Sequence, residues 1–208
     1  MINKFKSNVE NMIFPNLKLL LLFFTLILSL ASGAKKKIFP IEIVSAISDL
    51  IVVGQIKSFT PNTYELVISE TIKGSSRKII TVVKFEEWTC DVRFGDYKRG
   101  QQLLLFLKRK GDYYEIVNAS TGEIPIKYNY ITLNYESLDE KRFIPYKMSL
   151  KECINGLLYL NQCYEMIGSY DGRSDFPFFR KIGNNLNISS KNQFSTFLIK
   201  QMKRYKFI

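Results

Sequence analysis

Three pairs of carboxylates stand close together in the chain: Glu86 with Glu87, Asp91 with Asp96, and Asp171 with Asp175. Paired acids do general acid–base work when burial or repulsion drives their proton affinities apart. Each of these pairs falls in a loop-like polar stretch, where both members are expected to be hydrated and to ionise alike, so the pattern reads as surface charge. The chain has no histidine, which removes every Ser–His, Cys–His and His–metal arrangement. Asp171-Gly172-Arg173-Ser174-Asp175 lacks the alternating acids and final Glu of a calcium loop, and Arg173 would repel the ion. These residues predict no enzyme, no metal and no cofactor.

The cysteines are Cys90, Cys153 and Cys163, with no CxxC pair among them. Cys153 and Cys163 fall ten residues apart on one expected helix, a separation of about 15 Å at 1.5 Å per residue, too far for a bridge. A disulfide would therefore join Cys90 to Cys153 or to Cys163; the alternative is three small buried thiols. The stretch Phe85 to Asp91 holds the only tryptophan, Trp88, beside Glu86, Glu87, Cys90 and Asp91. It is the candidate binding loop, with Trp88 as an anchor or as a lid pinned by Cys90. Lys108, Arg109 and Lys110 lie beside Tyr113 and Tyr114 and form a candidate basic tip. Such a tip could stack and neutralise an oligonucleotide, or simply keep a strand edge soluble. Asn118-Ala119-Ser120 and Asn187-Ile188-Ser189 match the glycosylation acceptor pattern.

The elements that must position these residues are mostly strands. Asp49 to Ile56 is a β-branched run of the kind buried on both faces, and Tyr64 to Ile72 places Tyr64, Leu66 and Ile68 on one face. Lys78 to Phe85 is a third strand. Leu103 to Leu107 and Tyr113 to Val117 form a hairpin around Lys110-Gly111-Asp112. Ile41 to Ile47 is a short helical turn, Gly122 to Ile126 extends the sheet, and the Tyr-rich stretch 127–146 wraps it. The period then turns helical. Ser149 with Glu152 makes a capping box, followed by Leu150, Cys153, Ile154, Leu157 and Leu158 up to about Ile167. Residues 168–183 read as a loop. A second helix is expected after Ser190, with Phe194, Phe197, Leu198 and Met202 on one face. The pattern predicts an α+β protein, mainly β: a five-stranded OB-type antiparallel barrel followed by two amphipathic helices. Its parts are a leader over 1–34, a barrel with its wrapping segment over 35–148, and a helical extension over 149–208.

Ser48 to Gly54, Ile72-Lys73-Gly74, and Gly100-Gln101 leading into Leu103 to Leu107 resemble the netrin-like barrel domains, OB-type folds that include the tissue inhibitors of metalloproteinases. The resemblance covers residues 46–126 and implies a barrel and an extracellular binding role. Gly54 would let a coiled first strand bend, and Gly74 would supply a positive φ. Those inhibitors chelate zinc through an N-terminal cysteine and carry several disulfides; this chain has neither, so the resemblance does not extend to protease inhibition.

Leu19 to Ala34 carries no charge, follows Lys4, Lys6 and Lys18, and ends in Ala31-Ser32-Gly33-Ala34. A basic flank, a short apolar core and small residues describe a secretory signal peptide. Lys35, Lys36 and Lys37 directly after it oppose translocation, which leaves an uncleaved membrane anchor as the alternative. Thirty basic residues against nineteen acidic give a net charge of +11. That excess favours an acidic partner or a solubility surplus. The expected product is a secreted or cell-envelope binding module whose partner is a protein or an acidic polymer, with an oligonucleotide-binding barrel, or a hydrolase using the loop carboxylates, as alternatives.

Overall fold

The computed structural model describes residues 38–87, 91–136, 143–168, 170, 178–183, 192–202 and 205–207. Helix α1 (Ile41–Ile47) leads into strands β1 (Leu50–Phe59), β2 (Thr63–Lys73) and β3 (Ile79–Val83). Strands β4 (Gln102–Lys110), β5 (Tyr113–Ile116) and β6 (Glu123–Pro125) follow, then the hairpin β7 (Tyr130–Glu136) and β8 (Phe143–Ser149). Helix α2 (Leu150–Cys163), β9 (Tyr164–Ile167), β10 (Phe178–Lys181), helix α3 (Gln193–Met202) and β11 (Lys206–Phe207) complete it.

Strands pair in the order β1-β2-β3-β5-β4, and β4 returns to β1, closing a five-stranded barrel. The expected antiparallel barrel is corrected at one seam: β3 and β5 run parallel, through Val82 opposite Tyr114 and Val83 opposite Glu115. An odd number of strands cannot alternate direction around a closed ring, so one parallel pair is unavoidable. This is the order of an OB-type barrel, and the protein is of the α+β class.

Strands β1 and β4 read as unbroken apolar runs because both of their faces are covered. Leu50, Val52, Leu103, Leu105 and Leu107 point into the barrel with Tyr64, Leu66, Ile80 and Val82. Their neighbours Ile51, Val53, Leu104 and Phe106 face outward into a second core built with α1, α2, α3 and the β7–β8 hairpin. Each such fully buried aliphatic or aromatic side chain contributes about 1.5–3 kcal/mol. The period-2 alternation of two strands thus joins the barrel and the helices into one packed body.

Gly54 lies at a register shift between β1 and β2, where an added Cβ would stand 2.7 Å from the Leu66 side chain and 2.8 Å from the Val67 carbonyl oxygen. Only a glycine permits that approach. Gly74 closes β2 at φ +77°, as a left-handed turn requires.

The helices show where local signals held and where neighbours overrode them. The Ser149 hydroxyl accepts the Glu152 amide at 3.1 Å, the expected cap. Helix α2 stops at Cys163, short of Ile167, because Tyr164 turns extended and pairs with β10. Strand β10 also replaces part of the loop expected over 168–183. The cap of α3 is Asn192, whose Oδ1 accepts the Ser195 amide at 2.8 Å while its own amide donates to the Ser195 hydroxyl. Ser190 lies outside the described residues, as does the leader over 1–34.

The C-terminus of α1 is held by a lysine from the barrel. Lys73 Nζ donates to the Ser45 and Ala46 carbonyls at 2.8 and 2.9 Å. Burial, reinforced by Lys108 and only partly offset by Asp49, lowers this ammonium to a pKa of about 8. In the unfolded chain it titrates near 10.4. Between those values the unfolded chain holds more protons than the folded one, so this group makes stability rise with pH across that window. The urea midpoint of the wild type minus that of Lys73→Met is therefore expected to increase from pH 7.5 to pH 10. An unchanged difference would remove Lys73 from the account.

Candidate functional site

One end of the barrel is closed by an unusual arrangement of the chain between β3 and β4. Asp91-Val92-Arg93-Phe94 runs with alternating burial, but the alternation is inverted: the charged Asp91 and Arg93 are buried, while Val92 is 60% and Phe94 38% exposed. The inversion traces to one buried ion pair. Arg93 Nε donates to Glu123 Oε1 at the start of β6, with the two side chains 1% and 0% exposed.

The rest of the network is satisfied around that pair. Tyr64 in β2 donates its hydroxyl to Glu123 Oε2 at 3.0 Å, so both carboxylate oxygens are taken. Arg93 Nη1 donates to the Gly95 carbonyl and Nη2 to Gln101 Oε1, the latter at 2.9 Å, and the Arg93 amide donates to Glu87 Oε1 at 3.1 Å. The guanidinium lies 3.6 Å from the Tyr97 ring centroid and 4.4 Å from that of Phe94. Lys84 Nζ also sits 4.4 Å from the Tyr97 ring centroid and 5.1 Å from that of Phe59. Two cations and three aromatic rings thus meet at the barrel end, each cation within reach of two rings.

Burial pushes the Glu123 carboxyl above its ordinary value, with Arg93 and the Tyr64 hydroxyl pulling it partly back. The Tyr64 phenol rises well above its ordinary value through burial and the Glu123 charge, and Tyr97 rises for the same two reasons. The Tyr97 hydroxyl has no hydrogen bond of good geometry among the described residues. These phenols stay protonated, and each Glu123 carboxylate oxygen accepts one hydrogen bond within the network.

Two hollows flank the segment. The first, about 410 Å³, is lined by apolar residues that include Ile41, Val92, Phe94 and Ile124 and by polar ones that include Asp91, Ser120 and Thr132. The second, about 390 Å³, runs past Lys98, Gln102 and Lys127. Phe94 and Pro125 line both and form the ridge between them.

Of the residues singled out in the sequence, Glu86 and Glu87 are exposed in this loop, and Glu87 holds the Arg93 amide. Asp91 departs from the solvated position expected of it: it is buried, and its Oδ1 accepts the Ser120 amide at 3.3 Å. Asp96 is exposed, so Asp91 and Asp96 sit in unlike environments. Trp88, Cys90, Asp171 to Asp175 and Asn187 lie outside the described residues. Cys153 and Cys163, the two expected partners of Cys90, are free buried thiols on α2, Cys153 within the outer core, and burial raises both thiol pKa values. Asn118 is half-buried and holds the Phe39 amide at 2.9 Å, a structural use of its side chain.

The basic tip is largely compensated. Lys108 bonds Asp49 at 2.7 Å, Lys110 stands 3.7 Å from Glu115, and Arg109 lies over the Tyr114 ring at 5.7 Å. Among the described residues no group of three or more His, Cys, Asp or Glu could hold a metal ion.

Arg93, Glu123, Tyr64 and Tyr97 were not singled out in the sequence. The available signals were slight: charges alternating with apolar residues over 91–94, and an acid set just before Ile124-Pro125-Ile126. No protein-family model matches the chain, and neither does any curated protein. Fold and site together define a class, a closed five-stranded barrel with a charge-locked loop across one end.

Proposed function

We propose that the chain is an exported, non-enzymatic binding module that engages a protein partner through the Val92–Phe94 end of its barrel. The observation that carries this reading is the inverted segment itself. A buried ion pair is weak support for stability, since taking both charges out of water offsets most of their attraction. What it supplies here is placement: with the Arg93 side chain held by three hydrogen bonds, Val92 and Phe94 are left exposed beside a hollow of mixed apolar and polar lining. A rigid apolar ridge beside a pocket suits a partner's side chain.

Export rests on the basic, apolar and small-residue succession before residue 35, and the resemblance to netrin-like barrels agrees with an extracellular binding role. A polyanion is the weaker partner, because Lys108 and Lys110 already face Asp49 and Glu115. The absence of histidine from the sequence and the burial of Glu123 in an ion pair with Arg93 speak against catalysis.

The test places a photo-crosslinking benzoylphenylalanine at position 94 of the full chain, expressed in its own host. A discrete protein adduct is expected there and not from the same group at Tyr113, on the β4–β5 hairpin. Val92→Ser should lower the yield about tenfold, the effect of losing one well-packed contact, with stability unchanged to within about 0.5 kcal/mol. Equal labelling from positions 94 and 113 would defeat the proposal. Retention on heparin that falls with salt and survives the Val92 substitution would replace it with the polyanion reading.

A further inference from the structure

The turn from β6 into β7 spends a conformation on a residue whose side chain stands almost wholly in solvent. Lys127 and Tyr130 exchange backbone hydrogen bonds at 2.9 Å in both directions, closing a two-residue hairpin over Tyr128 and Asn129. Both central residues have positive φ, 52° and 61°. This is the geometry that favours Asn, Asp or Gly. Asn129 suits it, and its carbonyl also accepts the Leu150 amide at 2.8 Å. Tyr128 does not suit it: a bulky side chain at positive φ is an outlier, and this one is 96% exposed.

Three lysines stand along the turn and the elements it joins, and the hollow beside Asn129 and Leu150 adds Glu70 and Lys78. Lys127 precedes Tyr128, Lys147 lies opposite Thr132 in the adjoining ladder and covers the Tyr130 ring at 5.2 Å, and Lys151 opens α2 next to Leu150. All three lysines are exposed, and none is in an ion pair among the described residues. The β4–β5 tip, by contrast, has its lysines matched by acids.

We propose that the Tyr128 turn docks on an anionic phospholipid surface, the ring seated at headgroup depth and the three lysines facing lipid phosphates. Tyrosine is enriched at the membrane–water boundary because its ring is apolar and its tip polar. Lysines near an anionic bilayer strengthen binding by about fivefold each. A protein site is the poorer fit, since lysine is depleted from protein interfaces while aromatics and arginine are enriched. The proposal is independent of the Val92–Phe94 ridge, so either can fail alone.

Two measurements on the full chain test it, and a retained leader would be common to every variant compared. Trp88→Phe combined with Tyr128→Trp places the sole tryptophan at the tip. Its emission is expected to shift to shorter wavelength with vesicles of phosphatidylcholine and phosphatidylglycerol in equal parts, and to stay unchanged with phosphatidylcholine alone. In co-sedimentation with the mixed vesicles, replacing Lys127, Lys147 and Lys151 by Gln should weaken binding on the order of a hundredfold, three steps of about five. The same change at Lys110, Lys181 and Lys200 should weaken it less than about tenfold, the long-range share of net charge alone. An unshifted tip in vesicle-bound protein, an equal shift on neutral vesicles, equal loss from the two lysine triads, or no binding to either vesicle would each overturn it. A Tyr128-dependent adduct with a protein, in the absence of any vesicle effect, would assign the turn to a protein partner instead.

Discussion

Glu123→Ala is expected to destabilise the protein by about 3–5 kcal/mol, the loss typical of removing one partner from a buried ion pair. The reason is what remains. Arg93 would keep its charge inside the barrel end, with only the Gly95 carbonyl, Gln101 and two ring faces to satisfy it. The Tyr64 hydroxyl would also lose its acceptor. Arg93→Met is expected to cost a similar amount, because it leaves the Glu123 carboxylate unpaired. Replacing all three groups together, with Arg93→Met, Glu123→Leu and Tyr64→Phe, should recover most of the loss, since neither member of the ion pair nor the Tyr64 hydroxyl is then left behind unpaired. Urea unfolding of the single variants and the triple variant reads this directly. If the triple variant is as unstable as Glu123→Ala, the pair is a source of stability and not a device for placing the loop.

Gly156→Val should be the most damaging change among the helices. A Cβ at Gly156 would lie 2.5 Å from Phe194 Cδ1 and 3.2 Å from the Ser195 amide nitrogen. Phe194 is fully buried and packs into the outer core, so it has nowhere to go without opening a void. Valine adds two further methyls and a lower helix propensity than alanine. Overpacking of this kind costs about 1–3 kcal/mol, and displacing the phenylalanine carries it to the upper end or beyond. A loss of about 3 kcal/mol corresponds to a melting temperature lower by about 6–12 °C for a chain of this size. Gly156→Ala sets the same clash against a helix-propensity gain of about 1 kcal/mol, and a small net loss is expected. Adding Phe194→Leu to Gly156→Val should restore part of the stability. A Gly156→Val protein as stable as the wild type would show that α2 and α3 do not meet at this point.

What could be read from the sequence followed the distance over which each decision is made. Leu50 to Ile56 and Leu103 to Leu107 announced strands because burial on both faces writes itself as an unbroken apolar run. Ser149 and Glu152 announced the start of α2 because a cap is a three-residue contact. The end of α2 at Cys163 was illegible: no Gly or Pro stands there, and the helix yields only because β10 offers Tyr164 a partner. The turn from β6 into β7 was hidden for a related reason, since Tyr128 occupies a position where Asn or Gly would have signalled it. The charge-locked loop was the least legible feature. Arg93 and Glu123 are thirty residues apart, and nothing local distinguishes an arginine that will be buried from one that will be hydrated. Asp91 fell to the same difficulty.

The account stands on the claim that residues 91–97 form a rigid frame and not a mobile connection, and amide hydrogen exchange of the full chain measures this most directly. Protection of the Arg93 amide, which donates to Glu87, is predicted to approach that of the Leu104 and Phe106 amides in β4, and to collapse in Arg93→Met. Exchange at Arg93 as fast as in an open loop, in the wild-type protein, would mean that Val92 and Phe94 are exposed by chance of conformation and present nothing to a partner.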